Sequence, residues 1–401
     1  MILILSQSSM EPTTEEIMDW LEALGEPCVR LNGEDVDGPT ALRIRVEGED
    51  VVLGFEAGGN ELPLGEVGAV WYRRWLYERR SEMMPNLVEQ PSADSHKLDY
   101  DLRRHLTLES RKLSDFLFTR FAGLPWLSHP RRASLNKLDV LTRAARAGFA
   151  TPETLVTTER EALRRFCAAH GRVITKPIGE VDMFLEGERS HFLFTTSLDL
   201  AAVDALPERF APSLFQEQVD KEYELRIFYL EGECHAMAIF SQNDPQTQTD
   251  FRRYNREKPN RTVPFRLSPD SEERIRRLMA DLGLETGSID LLVTRDGREV
   301  FLEINPVGQF GMVSKPCNYR LERKVAELLI RKASDGRRSY GPVRAPLSRS
   351  AEAHPGGLSF PPRLAHQRGH PPAPRREPAL SRQRLRLPAV PQTDLEVLRS
   401  R

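Results

Sequence analysis

Apolar positions in the first 125 residues switch between the period of a strand and the period of a helix. Ile2–Leu5 is apolar throughout and reads as a strand. From about Thr14, Ile17, Trp20, Leu21 and Leu24 fall on one helical face; Thr13 and Glu16 have the spacing of a capping box, and Gly25 stops the pattern. Val29–Leu31, Leu42–Val46, Val51–Phe55 and Ala69–Trp75 read as further strands, and a long amphipathic helix is expected between about Ser95 and Phe121. Residues 1–127 are therefore expected to form a small α/β domain.

The remainder is richer in strands. Asn136–Ala147 has a helical pattern ended by Gly148. Val173–Lys176, Phe192–Thr195, Leu214–Val219 and Glu224–Tyr229 follow as strands, and Glu231-Gly232 reads as a hairpin turn before His235–Phe240. Ser271–Leu282 is a helix, and Ser288–Thr294 and Val300–Ile304 are strands joined by an Asp296-Gly297 turn. The pattern vanishes beyond Arg331. Residues 333–401 hold 11 Pro in 69 positions, a composition that buries too little apolar surface to offset its ordering entropy, so a disordered tail is expected there.

Composition narrows the class. The 39% apolar and 29% charged content is that of a water-soluble protein, and no apolar run has the roughly 18 residues of a membrane helix. MILILSQ lacks a basic flank and a cleavage site, so it reads as a strand rather than a signal peptide. Cys28, Cys167, Cys234 and Cys317 form no CxxC pair, which suggests reduced thiols in a cytoplasm. Residues 333–401 carry 13 Arg, no Lys and 5 acids, hence +8; against a total of −2 the first 332 residues carry −10. An acidic body argues against nucleic acid as the partner.

The chemistry concentrates near the second hairpin. In FLEINPVGQF, strand alternation sends Glu303 and Asn305 one way and Leu302 and Ile304 towards the core. Asp290 lies in the neighbouring strand across the turn. Three hard oxygen donors, Asp290, Glu303 and Asn305, then share a face, a set that magnesium accepts while filling its other positions with water and nucleotide phosphates. Phosphates need cations: Lys176 ends the apolar strand VITK, and Lys137 opens a helix. No Walker A pattern exists in the chain. In LFQEQVDKEYELR, the backbone around Gln216, Glu217 and Val219 has the form of an adenine-binding hinge; Glu222 or Glu224 would reach the ribose, and Arg226 the transferring phosphate.

The ordered set Lys137, VITKP, FQEQV…ELR, Asp290 and LEIN resembles the ATP-grasp carboxylate–amine ligases over about residues 128–329. With VWYRRW, DFRRYN…KPNR and NPVGQFGMVSKPCNY, the chain resembles the ATP-grasp peptide maturases that make graspetides, and among them the grasp-with-spasm maturases. The resemblance implies an α/β (α+β) ATP-grasp fold: a pre-ATP-grasp domain at 1–127, a central subdomain at 128–215, a C-terminal subdomain with the magnesium site at 216–332, and the tail at 333–401. One departure is that KPIGEVDMFLEGER has only Gly179 and Gly187 where many relatives have a glycine-rich lid, so no phosphate contacts are assigned in it.

It further implies ATP and Mg2+ as cofactors. A carboxylate becomes an acyl phosphate, and an amine or hydroxyl then displaces phosphate. Lys137 and Lys176 would hold the α- and β-phosphates. Arg226, with Arg252 or Arg253 and Asn255, would stabilise the γ-phosphate. The substrate would be a ribosomal precursor peptide whose Asp or Glu side chains join to its own Lys, Ser or Thr, with Arg73 and Arg74 as contacts to its acids. A homodimer and a radical SPASM-domain partner complete the expectation. The rival readings are a RimK-like ligase adding glutamate and a non-catalytic nucleotide sensor.

Overall fold

The computed structural model describes residues 1–8, 11–37, 42–47, 50–55, 66–75, 93–179, 184–186, 189–191, 195–251, 255 and 257–340. Its N-terminal unit runs β1 (Ile2–Ser6), α1 (Pro12–Ala23), β2 (Cys28–Asn32), α2 (Gly33–Asp37), β3 (Leu42–Glu47), β4 (Asp50–Phe55), β5 (Ala69–Tyr72), α3 (Ala93–Arg120) and β6 (Trp126–Leu127). Four strands form a parallel sheet in the order β2-β1-β5-β6, and β1, with a strand on either side, is buried along its whole length. β3 and β4 pair as a separate hairpin. The expected capping box does not form. Pro12 starts α1 earlier, Glu11 is its N-cap residue without a side-chain cap, and Thr13 is buried. β5 stops at Tyr72, so Arg73, Arg74 and Trp75 follow the strand instead of completing it.

The middle of the chain contains α4 (Lys137–Arg146), β7 (Thr154–Glu159), α5 (Arg160–His170), β8 (Val173–Lys176), β9 (Phe184–Glu186), β10 (Arg189–His191), β11 (Thr196–Leu198), α6 (Leu200–Asp204) and β12 (Arg209–Glu217). An antiparallel sheet, β11-β8-β12-β7, is backed by α5 and α6 through Leu163, Cys167, Val203 and Phe215. The expected strand Phe192–Thr195 lies outside the described residues except for Thr195. α4 begins where Asn136 caps the backbone N–H groups of Leu138 and Asp139 at 3.0 and 3.2 Å. Despite its position in the chain, α4 packs elsewhere: Val140, Leu141, Ala144 and Phe149 join the core beneath the C-terminal sheet.

That sheet runs β15-β14-β13-β16-β17, built from β13 (Lys221–Leu230), β14 (Glu233–Phe240), β15 (Arg261–Phe265), β16 (Thr286–Thr294) and β17 (Glu299–Asn305); α7 (Pro269–Leu282) precedes β16, and α8 (Gly311–Cys317) and α9 (Leu321–Tyr340) close the described chain. Positive φ at Glu231 and Gly232, 45° and 93°, makes the tight β13–β14 turn, the sign that a right-twisted hairpin requires. One face of the sheet, with Leu225, Ile227, Ile289 and Leu291, packs on α4 and α7.

The other face is divided. Phe228, Leu230, Met237 and Ile239 share a core with α8, α9, α1 and the N-terminal residues Ile4 and Trp71. Glu224 and Arg226, earlier on the same strand and face, lie outside that core and line a cleft. α9 runs to Tyr340, beyond the expected start of the tail, because Leu321, Val325, Leu328, Leu329 and Ala333 keep a helical stripe that is fully covered.

Where α9 crosses β5, backbone meets backbone: a Cβ on Gly336 would lie 1.9 Å from the Gly68 carbonyl oxygen. Gly to Ala in an exposed helix stabilises; here Gly336→Ala should instead cost about 1–3 kcal/mol by overpacking. Urea unfolding of the two proteins checks this, and an unchanged or raised midpoint would contradict it.

Candidate active site

A cleft of about 950 Å³ separates the sheet of β7, β8, β11 and β12 from the uncovered end of the C-terminal sheet. That volume suits a nucleotide-sized ligand. Register places Thr154, Gln216, Ile174 and Ser197 in one row across β7, β12, β8 and β11, with Leu214 and Lys176 in the next row of the same face. On the facing wall, Arg226 pairs in register with Asp290, and Asp290 with Glu303, while Ser288 is opposite Asn305. Lys176, Gln216, Arg226, Asp290, Glu303 and Asn305 all line the cleft.

β17 carries one residue more than β16 between these pairs, since Asp290 faces Glu303 but Leu291 faces Phe301. This bulge turns Leu302 into the cleft wall, which corrects the expectation that it faces the core. Ile304 does face the core.

Two carboxylates directly across a strand pair repel each other unless cations flank them. Here Arg226 Nη1 lies 2.5 Å from Asp290 Oδ2, both side chains being largely buried, and Lys137 Nζ lies 3.9 Å from Glu303 Oε2 while donating to the Pro177 carbonyl at 3.1 Å. Asn305 Oδ1 accepts from the backbone N–H of Val307 at 3.1 Å and retains a second lone pair. Among the described residues no three His, Cys, Asp or Glu side chains gather as a metal cage. Two carboxylates and an amide oxygen beside an open cleft fit magnesium, which keeps waters and phosphates in its shell.

Of the two candidates for the ribose, Glu222 is exposed at a strand irregularity, whereas Glu224 is buried and lines the cleft. Burial pushes the Glu224 carboxyl above its ordinary value, while Lys221 Nζ at 2.8 Å and Ser241 Oγ at 2.7 Å oppose the shift. Lys221 is a site residue that the sequence pattern does not single out. Its only signal was a lysine placed three before a glutamate in a strand.

In the hinge, Glu217 Oε1 accepts from Glu153 N at 3.1 Å, and His170 is 2.8 Å from Glu153 and 3.7 Å from Glu217. Gln216 is fully buried: Nε2 donates to Thr154 Oγ1 at 2.9 Å, and Oε1 has no hydrogen-bond partner among the described residues. Val219 also lines the cleft.

Among the described residues, three other expected site residues, Asn255, Arg73 and Arg74, do not line the cleft. Asn255 is braced within its own loop, donating to Asp244 at 2.6 Å and accepting from Glu257 and Lys258, so it is not in the cleft wall. Arg252 and Arg253 lie outside the described residues. Arg73 is 3% exposed and paired with Glu11, whereas Arg74 keeps about a third of its side chain exposed. Burial raises the pKa of all four thiols, Cys234 to about 12, so none is primed as a nucleophile.

Two antiparallel sheets gripping a polar cleft, behind a parallel N-terminal sheet, define an ATP-grasp fold. The chain resembles the RiPP-associated ATP-grasp ligase of Chryseobacterium gregarium, solved with ADP and a leader and core peptide: 22% identity, TM-score 0.68, over 82% of this chain and 96% of that one. The macrocyclase MdnC of Microcystis aeruginosa MRC, bound with precursor peptide MdnA, is 25% identical at TM-score 0.67, covering 82% of this chain and 99% of its own. The ATP-grasp ligase PsnB, complexed with a minimal precursor, Mg and ADP, is 19% identical at TM-score 0.59, covering 83% and 97%. No curated protein matches the chain. Residues 1–129 match the MvdD pre-ATP grasp domain. The chain thus has the ATP-grasp fold with a pre-grasp domain of the MvdD type at its N-terminus.

The Arg226–Asp290 pair predicts a non-additive pattern. Arg226→Met leaves a buried carboxylate beside Glu303 and should cost about 3 kcal/mol. Adding Asp290→Leu should restore part of that loss, as a double-mutant cycle by chemical denaturation would reveal. Additive losses would show that the two side chains are uncoupled.

Proposed function

We propose that this chain is an ATP-dependent ligase that closes macrocyclic amide or ester links within a ribosomally made precursor peptide, as in graspetide maturation. The observation that carries the reading is the cleft itself: Lys176 and Gln216 on one sheet face Arg226, Asp290, Glu303 and Asn305 on the other. The pre-grasp domain and the peptide-bound relatives support a peptide as the substrate.

In this reading, the backbone from Gln216 to Val219 reads the adenine edge and Glu224 meets the ribose. Lys137 and Lys176 neutralise the α- and β-phosphates, and Arg226 faces the γ-phosphate. Asp290, Glu303 and Asn305 would hold magnesium, which when bound withdraws charge from the phosphates. A side-chain carboxylate of the peptide attacks the γ-phosphorus, ADP departs, and an acyl phosphate remains. A lysine amine or a serine or threonine hydroxyl of the same peptide attacks the acyl carbon; phosphate departs, and the attacking group gives up its proton. The peptide thereby loses one water per ring. Positioning and charge neutralisation perform this chemistry, so no nucleophilic side chain is needed from the enzyme.

Arg74 is the member of the basic pair left available to an acidic peptide. Arg252 or Arg253 as a further γ-phosphate contact, the grasp-with-spasm subtype, a homodimer, a radical SPASM-domain partner and a cytoplasmic location extend the proposal on the motif resemblance. Among the described residues, no helix is long and apolar enough to cross a membrane.

Mass spectrometry of a candidate precursor peptide rich in Asp or Glu and in Lys, Ser or Thr, incubated with enzyme, ATP and Mg2+, tests the reading. The expected product has lost one water per ring. Lys176→Met and Glu303→Gln should each slow its formation about 10²–10³-fold, the scale of losing one preorganised charge contact. A peptide that gains glutamate residues would instead indicate a RimK-like ligase. An unchanged peptide with nucleotide still bound would favour a sensor.

A further inference from the structure

Arg73 is the last place to expect a strong charge, since it lies between the N-terminal unit and the loop that follows the oxygen donors. Its backbone N–H donates to the Leu5 carbonyl at 2.9 Å, extending the β1–β5 ladder by one residue. Nε and Nη2 are each 3.4 Å from Glu11 Oε2, and Nη1 is 3.4 Å from the carbonyl oxygen of Gly308. The guanidinium also lies over the rings of Trp71 and Phe310, at 5.3 and 5.9 Å. Glu11 is held from both sides, because its other oxygen is 3.2 Å from Arg74 Nε.

The loop at the far end of this clamp leads straight out of the oxygen-donor strand. Gly308 N donates back to the Asn305 carbonyl at 3.2 Å, and Val307 N donates to Asn305 Oδ1 at 3.1 Å. A Cβ on Gly308 would sit 2.7 Å from Cβ and Oγ of Ser288, the residue in register with Asn305. The turn from Asn305 to Gly308 is therefore wedged against β16 on one side and hydrogen-bonded to Arg73 on the other. Motion of Gly308 away from Arg73 would carry Val307, and with it the orientation of the Asn305 amide.

We propose that Arg73 is a positioning residue: through Gly308 and Val307 it fixes the Asn305 oxygen relative to Asp290 and Glu303, and so sets how far magnesium tightens nucleotide binding. This rests on the reading of the cleft as a magnesium–nucleotide site. It gives the pre-grasp domain a part in nucleotide binding although none of its described residues lines the cleft.

The test is calorimetric titration of ADP with and without Mg2+ into the full chain, using Arg73→Lys and Glu11→Gln. Lysine keeps the charge but lacks the fork that spans Glu11 and Gly308. Glutamine removes the carboxylate that aims Arg73. Two variants are used because burying an unpaired charge destabilises, and melting curves identify which of them is folded. In a folded variant, ADP affinity without metal should stay within about twofold, while the factor by which Mg2+ tightens ADP should fall about fivefold or more, the worth of one hydrogen bond. An unchanged factor in the folded variants overturns the inference, and so does an equal loss with and without metal, which general loosening would produce. Wild-type protein that binds no ADP overturns the nucleotide reading and this inference together.

Discussion

One face of the C-terminal sheet has to serve two incompatible environments, and the structure depends on how that face is divided. Phe228 stacks against Phe310 with ring centroids 4.4 Å apart, inside a core that the N-terminal unit completes with Ile4 and Trp71. Two residues earlier on the strand, Arg226 stands in the cleft. Without α8, α9 and the N-terminal sheet, the apolar end would be open to water, and removing it from water is the main favourable term available to this face. Those same elements cannot extend further without covering Arg226, Asp290 and Glu303. The boundary between apolar and charged residues along β13 thus sets both the docking of the N-terminal unit and the floor of the site.

The acids of that floor are arranged with cations beside them. Arg226 attends Asp290, Lys137 attends Glu303, and Lys221 attends Glu224. A partly buried carboxylate without such a partner would be costly, and adjacent ones would repel. Pairing lets the folded chain hold several charges where a polyphosphate and a divalent ion would exchange partners with them, and a preorganised set of this kind needs little rearrangement when charge shifts during reaction.

Much of this was legible from local pattern. The LEIN segment, the Asp296-Gly297 turn and VITK are short-range signals, and strand alternation correctly put Glu303 and Asn305 on one face with Asp290 opposite. The exceptions arose where the outcome depends on long-range packing. Leu302 entered the cleft because a bulge resets alternation, and no residue type announces a bulge of that kind. The burial of Arg73 is not legible because a lone sequence cannot show that Glu11, 62 positions earlier, pairs with it in the interior. α4 follows the N-terminal unit in sequence but packs under β13, β16 and β17, since its apolar stripe specifies burial and not a partner. Nor does the motif around Asn255 show that its amide hydrogen-bonds within its own loop, to Asp244 and to the backbone of Glu257.

In the proposed function, magnesium and ATP meet at the oxygen donors of the β16–β17 hairpin. The most direct measurement is a crystal structure with a non-hydrolysable ATP analogue and Mn2+, using anomalous scattering to locate the metal. The expected result is a manganese peak coordinated by Asp290, Glu303 and Asn305, with the adenine against the backbone of Gln216 to Val219. A nucleotide bound with its metal outside that carboxylate–amide set, or no metal with the nucleotide in place, would contradict it.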